Sequence, residues 1–545
     1  MLGGVLGVAM AGCADLADDT VDLALINGRF WTGRPSMPMT DALGINSAYI
    51  TALGNDAVRS KITVKTQVID LDGAFAIPAF IDSHTHFLKA AVALLQPDLL
   101  SVKNKSEFVA RIAAVAKRNP GAWILGQSWD EYRMGGALPS RDWIDAVTPD
   151  TPVAVPRTDL HLVLANSKAL ALAGIDKNTP DPAGGEIVRD ADGVPTGILK
   201  DNAKSLIDRV IPPYTAAQED AALAKAIDLC HANGVAQVHI PEIDWNAHNA
   251  LRRTPLAREK GLRFYSMVPI EGWPHITQTI AEEGRGDDWV RWGAVKALAD
   301  GSLGSRTALF YEPYQDDPST SGIRIMGRNA LEEAVIGADA AGLQVCIHAI
   351  GDRANDDALD IFQSAADING PRDRRFRIEH AQHLKPETIP RFASQNVIAS
   401  VQPYHAIDDG RWAESRIGTA RLNGTYAFAS LIKSGARVAF GSDWPVAPIN
   451  PLTGIYAAVT RQTIDGANPG GWIPDQKITA EQALHAYTVE NAFAGFQDAV
   501  TGVLAPGYFA DITVLDRDIT RLDGEQIKFV NVLKTIVGGT VRYSA

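Results

Sequence analysis

The sequence predicts an α/β protein: a (β/α)8 TIM barrel, joined to a β-sandwich that the N- and C-terminal segments form together, with a large insertion after the first barrel strand. Three observations predict it. Residues 76–499 alternate short apolar runs with helix-like segments, the rhythm of a covered parallel sheet. Residues 21–75 and 500–545 run strand, turn, strand with no helix between, as antiparallel units do. Histidine, lysine and aspartate recur at the ends of the apolar runs, where barrel enzymes carry their chemistry.

The 545 residues are 46% hydrophobic and 21% charged, a globular composition with room for more than one domain. A net charge of -13 argues against a nucleic-acid partner. Three cysteines, Cys13, Cys230 and Cys346, make neither a disulfide framework nor a Cys-rich zinc site. A metal would therefore rest on histidine and carboxylate. Residues 1–20 stand apart as a leader. MLGGVLGVAMAGC is apolar and ends on Ala-Gly-Cys, like a bacterial lipoprotein signal with Cys13 as the lipidated residue. It is too short to span a bilayer and lacks the basic start of a signal peptide. Two readings follow: an exported protein, periplasmic or lipid-anchored at Cys13, or a cytoplasmic one with an apolar leader.

Taken in order, VDLALINGRFWTG (21–33), ALGINSAYITALG (42–54) and KTQVIDLDGAF (65–75) are strand-like, as are GVLAPGYFADITVLDRD (502–518) and NVLKTIVGGTVRY (531–543). These make the sandwich. Nine runs compete for the eight barrel places: IPAFIDSHTHF, TPVAVPR (151–157), GVAQVHI, RFYSMVPI, WGAVKALAD, LQVCIHAIGD, RFRIEHAQHL, NVIASVQPYH and RVAFGSDWPV. One of those between 151 and 270 is surplus. The insertion, residues 88–230, holds Trp, Arg, Asp, His and Gly-rich turns. Those residues suit a substrate-covering lid and equally suit plain surface hairpins.

In IPAFIDSHTHF (77–87) an apolar run leads into Asp82-Ser83-His84-Thr85-His86. The two-residue period of a strand turns His84 and His86 to one side, where two imidazoles can share an ion, and Asp82 has the same parity. H-x-H alone is a weak pattern. Later strand ends add Lys296, His348, His380 and Asp443. One such histidine is usually a satisfied core residue; four of them with an aspartate point to a metal. Lys296 lies deep in an apolar strand, where burial pushes an ammonium's pKa down. A neutral amine can take up carbon dioxide as a carbamate, an anionic ligand able to bridge two ions. The alternatives are an ion pair with an acid such as Asp300, or direct contact with substrate.

These motifs resemble the amidohydrolase superfamily, and within it the amidohydrolase family 3 branch that contains N-substituted formamide deformylase. FIDSHTHF, VKALADGSLGSRTA (295–308), HAIGDRAND (348–356), RIEHAQHL (377–384), GSDWPV (441–446) and GVLAPGYFADITVLD (502–516) carry the resemblance, which covers nearly the whole chain from residue 21. One departure is Pro78-Ala79, where the family has Pro-Gly. The resemblance implies that His84, His86 and Asp443 bind one divalent ion and that His348 and His380 bind a second. It implies that N-carboxylated Lys296 bridges the two, and that the protein is a homodimer. One or two ions are expected, zinc first; manganese, iron and cobalt also suit these ligand types. Candidate substrate contacts are Arg306, His383, Trp129, Asp159 and Asp352, with His161 the first choice in the insertion.

The expected reaction is hydrolysis of a C–N bond, foremost the amide of a small-molecule N-substituted amide. A metal-bound hydroxide attacks, the second ion or His161 polarises the carbonyl, and Asp443 moves the proton from water to the leaving nitrogen. The same core serves cyclic-amide, carbamate and ester or lactone hydrolases. Lys296 argues against a deaminase. In a different class, a membrane-displayed protein that binds without catalysis would need no general base at position 443.

Overall fold

The computed structural model describes residues 20–99, 101–126, 129–157, 162–182 and 184–545. The leader with Cys13, and Asp159 and His161, lie outside the described residues. No helix among the described residues is long and apolar enough to cross a membrane. Two compact units emerge, residues 88–226 and the remainder.

The larger unit contains an eight-stranded parallel sheet. Its strands are β1 (Phe80–Asp82), β2 (Val235–Pro241), β3 (Arg263–Pro269), β4 (Val290–Leu298), β5 (Gln344–Ala349), β6 (Arg377–His380), β7 (Ile398–Val401) and β8 (Val438–Phe440), each paired with the next. Their near-continuous burial explains the uninterrupted apolar runs, since both faces of a barrel strand are covered. The predicted TIM barrel is the fold observed. Side chains and loop backbone close it. Ser83 N donates to the Phe440 carbonyl at 3.1 Å. The amide of buried Asn491 sits across the β1–β8 gap, accepting from Phe440 N at 3.1 Å and donating to the carbonyls of Phe440 and Ile81. The Asp82 carboxylate accepts from His84 N and Ser442 N, both at 3.0 Å. Asp82 thus orients backbone, and it ties the two segments that carry His84, His86 and Asp443. Burial raises its pKa to about 7, against those hydrogen bonds.

The other two sheets of this unit flank the same chain ends. One, in the order Tyr49–Leu53, Leu43–Asn46, Leu23–Ile26, Gln67–Asp70, is N-terminal throughout. The other runs Thr540–Ser544, Val532–Val537, Ile512–Leu515, Phe75–Pro78, Arg29–Trp31, Met39–Thr40. Leu23, Leu25, Phe30, Leu43, Ile512, Val514 and Ile536 share one buried core between them. Here the run at 77–87 departs from its reading as one barrel strand. Phe75–Pro78 pairs antiparallel with Ile512–Leu515, and only Phe80–Asp82 enters the barrel. Ala79 is the step between sheets; it is buried and does not have positive φ, so a Cβ is accepted where the family has glycine.

The smaller unit builds its own antiparallel sheet, in the order Gly185–Arg189, Pro195–Asp201, Leu162–Ala165, Ala154–Pro156. TPVAVPR is the surplus barrel candidate: Ala154–Pro156 is a strand, but its partner is Leu162–Ala165. An apolar run specifies burial, not which sheet buries it. Helix Lys105–Arg118 begins where the Asn104 side chain accepts from Glu107 N at 2.9 Å. Its Phe108, Ile112 and Val115 pack with Trp129, Ile144, Val155 and Leu164.

Candidate metal centre

At the C-terminal end of the barrel, two groups of side chains converge on one carboxylate. His84, His86 and Asp443 form one group, and His380, His405 and Asp443 the other. His84 Nε2 and His86 Nε2 approach Asp443 Oδ1 at 3.6 and 3.3 Å, while His405 Nε2 faces Oδ2 at 3.8 Å. The rings of His84 and His380 lie 4.7 Å apart. His380 and Asp443 hold φ of 76° and 60°, a left-handed backbone uncommon outside glycine and often found where a site dictates geometry.

Each imidazole has a partner on Nδ1. Glu379 Oε2 takes His84 Nδ1 at 2.6 Å, and Glu242 Oε2 takes His86 Nδ1 at 2.9 Å. Gln402 Oε1 takes His380 Nδ1 at 2.8 Å, and the Gln382 amide meets His405 Nδ1 at 3.4 Å. A carboxylate only accepts, so His84 and His86 carry the proton on Nδ1 and turn the lone pair of Nε2 to the site. His84 Nε2, His405 Nε2 and Asp443 Oδ1 are buried without a hydrogen-bond partner. His84 Nε2 and Asp443 Oδ1 are acceptors that face each other, and such a pair is costly to bury unless a cation completes it. The donor set, four imidazoles around a carboxylate with two of them backed by further acids, suits a divalent cation.

Electrostatics agree. Burial works against ionising Asp443, but the close approach of His86 and the neighbouring imidazoles hold its pKa at about 2. Burial opposes a charge on His86 too, yet Asp443 and Glu242 raise it to about 9, a measure of how strongly this pocket attracts positive charge. Burial and the Lys296 charge push His84 well down. Burial also lowers Lys296, against the pull of Glu379 and Asp443. Lys296 is 2% exposed and forms no ion pair within 4.0 Å among the described residues. Asp300 accepts instead from the backbone N–H of Leu309, Ile350 and Gly351.

The remaining expectations divide. His348 lies beside His380, ring centroids 4.5 Å apart, but is in neither converging group; its Nε2 meets the Gly301 carbonyl at 3.0 Å. His405 stands in the group with His380 instead; it is the last residue of the run NVIASVQPYH but was not singled out; the strand stops at Val401 and helix Pro403–Asp409 carries it. Glu242, Glu379 and Gln402 were overlooked as well, although each sits at or just past a strand end. Trp129, expected as a substrate contact, is fully buried in the core of the smaller unit, its indole N–H on the Val155 carbonyl at 2.8 Å. Arg306 is held by Asp316 at 2.9 and 3.2 Å. Asp352 accepts from Tyr311 N at 3.0 Å, and burial raises its pKa. His383 is buried against Phe310, with Nδ1 on Thr425 Oγ1 at 2.9 Å and Nε2 without a partner.

A parallel barrel with a His–Asp cluster at its C-terminal mouth defines a hydrolase of the metal-dependent class. Residues 67–543 match the Amidohydrolase family, and the chain belongs to that family. It is 38% identical over 536 residues to Protein LONG AFTER FAR-RED 3 of Arabidopsis thaliana, covering 96% of this chain and 91% of that one. N-substituted formamide deformylase of Arthrobacter pascens is 27% identical over 96% of this chain and 98% of its own length. An uncharacterized metal-dependent hydrolase from Pyrococcus furiosus superposes with a TM-score of 0.76 at 30% identity, over 92% of this chain and 100% of that one.

Proposed function

We propose that this enzyme hydrolyses the amide C–N bond of a small N-substituted amide. The observation that carries the reading is the convergence of four imidazoles on the two oxygens of Asp443, with buried acceptors left unpaired. In it, His84, His86 and Asp443 hold a divalent cation, zinc first, and His380 and His405 face a second position. A bound cation would acidify water and polarise the scissile carbonyl. Asp443 takes a proton from the attacking water as its oxygen bonds to the carbonyl carbon, then delivers it to the leaving nitrogen as the C–N bond breaks. The products are a carboxylic acid and an amine. Lys296, its ammonium disfavoured by burial, is the group for carbon dioxide to convert to a bridging carbamate. Similarity to a formamide deformylase along nearly the full length supports the choice of amide.

A one-ion enzyme is the second reading. It is favoured by His348, which stands outside both converging groups while its Nε2 meets the Gly301 carbonyl. The test is a substrate panel of N-substituted formamides, longer amides, cyclic amides, carbamates and lactones, assayed before and after chelation and after Zn2+ is restored. Fastest turnover on the amides, abolished by chelator and recovered with Zn2+, is the expected result. Preference for a lactone or carbamate, or turnover that ignores the chelator, would overturn the amide reading. Metal bound without turnover of any of them would favour a binding protein.

A further inference from the structure

Barrel interiors are filled by layers of branched aliphatic side chains. This one is not. Arg377 and Glu379 share the inner parity of β6, and both are completely buried. Arg377 Nε lies 2.8 Å from Glu379 Oε1. Arg377 also reaches across the barrel: NH1 meets His239 Nδ1 of β2 at 3.0 Å, and NH2 donates to the Ser83 carbonyl at 2.7 Å and to Ser400 Oγ at 3.0 Å. The other oxygen of Glu379 receives His84 Nδ1 at 2.6 Å. One guanidinium thus ties β2, β6, β7 and the end of β1 to a single carboxylate, and that carboxylate holds a single imidazole of the metal centre.

A buried ion pair is a poor way to stabilise a fold, because desolvating both charges offsets their attraction, and apolar residues of like volume often serve as well or better. Its placement says what it is for. We propose that Arg377 and Glu379 are positioning residues of the metal centre. Arg377 anchors the carboxylate as an anion, and Glu379 fixes the His84 ring, keeps its proton on Nδ1 and strengthens Nε2 as a ligand. The proposal rests on the metal reading above and concerns binding of the cation rather than the substrate.

Glu379→Gln alone strands the Arg377 charge and is expected to fold poorly. The decisive variant is therefore the neutral pair Arg377→Met/Glu379→Gln, whose amide oxygen can still accept from His84 Nδ1. Both it and the wild type are stripped of metal and titrated with Zn2+ against a competing chelating dye, and their melting is followed without metal. The double variant is expected to melt near the wild-type temperature and to bind the tightest Zn2+ about 10- to 100-fold more weakly, the range for loss of a group that supports a ligand. Equal Zn2+ affinity in the two proteins would overturn the proposal, because a merely structural pair moves melting and not affinity. Failure of the double variant to fold would overturn it as well, by showing that the pair is kept for the barrel. If the wild type itself bound no Zn2+, the metal reading would fall, a different result from either.

Discussion

The two halves of the metal centre share Asp443 but are supported in different ways. Behind His84 and His86 stand carboxylates, Glu379 and Glu242. Behind His380 and His405 stand amides, Gln402 and Gln382. A carboxylate dictates the tautomer and adds negative charge to the ring it holds. An amide can present its oxygen or its NH2, so it orients a ring without charging it. As Gln382 stands, its NH2 faces His405 Nδ1, which leaves the proton on Nε2, facing Asp443. Turning that amide over would move the proton to Nδ1 and free Nε2 as an acceptor. The first half therefore offers fixed acceptors that suit a cation, while the second can offer either an acceptor or a proton. Four histidines near one carboxylate need not be four equal ligands.

The experiments that break or sharpen this contrast run from large effects to small. Asp443→Asn touches both halves and should reduce kcat/KM roughly 10²- to 10⁴-fold, the usual contribution of a general acid–base group. A variant that folds and keeps wild-type kcat/KM would remove Asp443 from the chemistry. Glu242→Gln turns a carboxylate-backed histidine into an amide-backed one and should weaken the tightest Zn2+ about 10- to 100-fold in a chelator competition. No change there would erase the difference between the halves. His405→Ala should lower Zn2+ content at saturation without altering the tightest site, whereas His348→Ala should leave content unchanged; elemental analysis of the two proteins reads this directly. The reverse result would return His348 to the ligand set. Gln402→Glu gives the second half a carboxylate and should tighten the weaker Zn2+ by several-fold, about 1 kcal/mol for a charged hydrogen bond in place of a neutral one.

The barrel strands were legible because burial on both faces leaves an apolar run that no exposed segment imitates. Reading strand ends then singled out His84, His86, Lys296, His348, His380 and Asp443, of which the structure gathers His84, His86, His380 and Asp443 into the two converging groups. His405 also ends an apolar run, NVIASVQPYH, but was not singled out; the strand stops at Val401 and a helix carries the residue onward, so its direction in space was not legible from its position. Glu379 was missed for a different reason. That residue sits next to His380 in RIEH, and its charge looked like ordinary strand polarity. Only inside a closed barrel do Arg377 and Glu379 have nowhere to go but inward. Strand partners were the other illegible quantity. Nothing in FAIPAFID marks Ala79 as the step between two sheets, because the partner of Phe75–Pro78 lies at Ile512–Leu515.

That pairing has a consequence for how the protein comes into being. Pro78 and Ile512 are register partners, and about 430 residues of chain are made between them. At roughly 5 to 20 residues per second, the segment leading to His84 waits between about 20 and 90 seconds for the strand that will cover it. Until then its flanking strand is a bare apolar edge, open to any other extended chain. The catalytic centre is therefore among the last things to assemble, and the cell must guard a half-made enzyme for most of its synthesis.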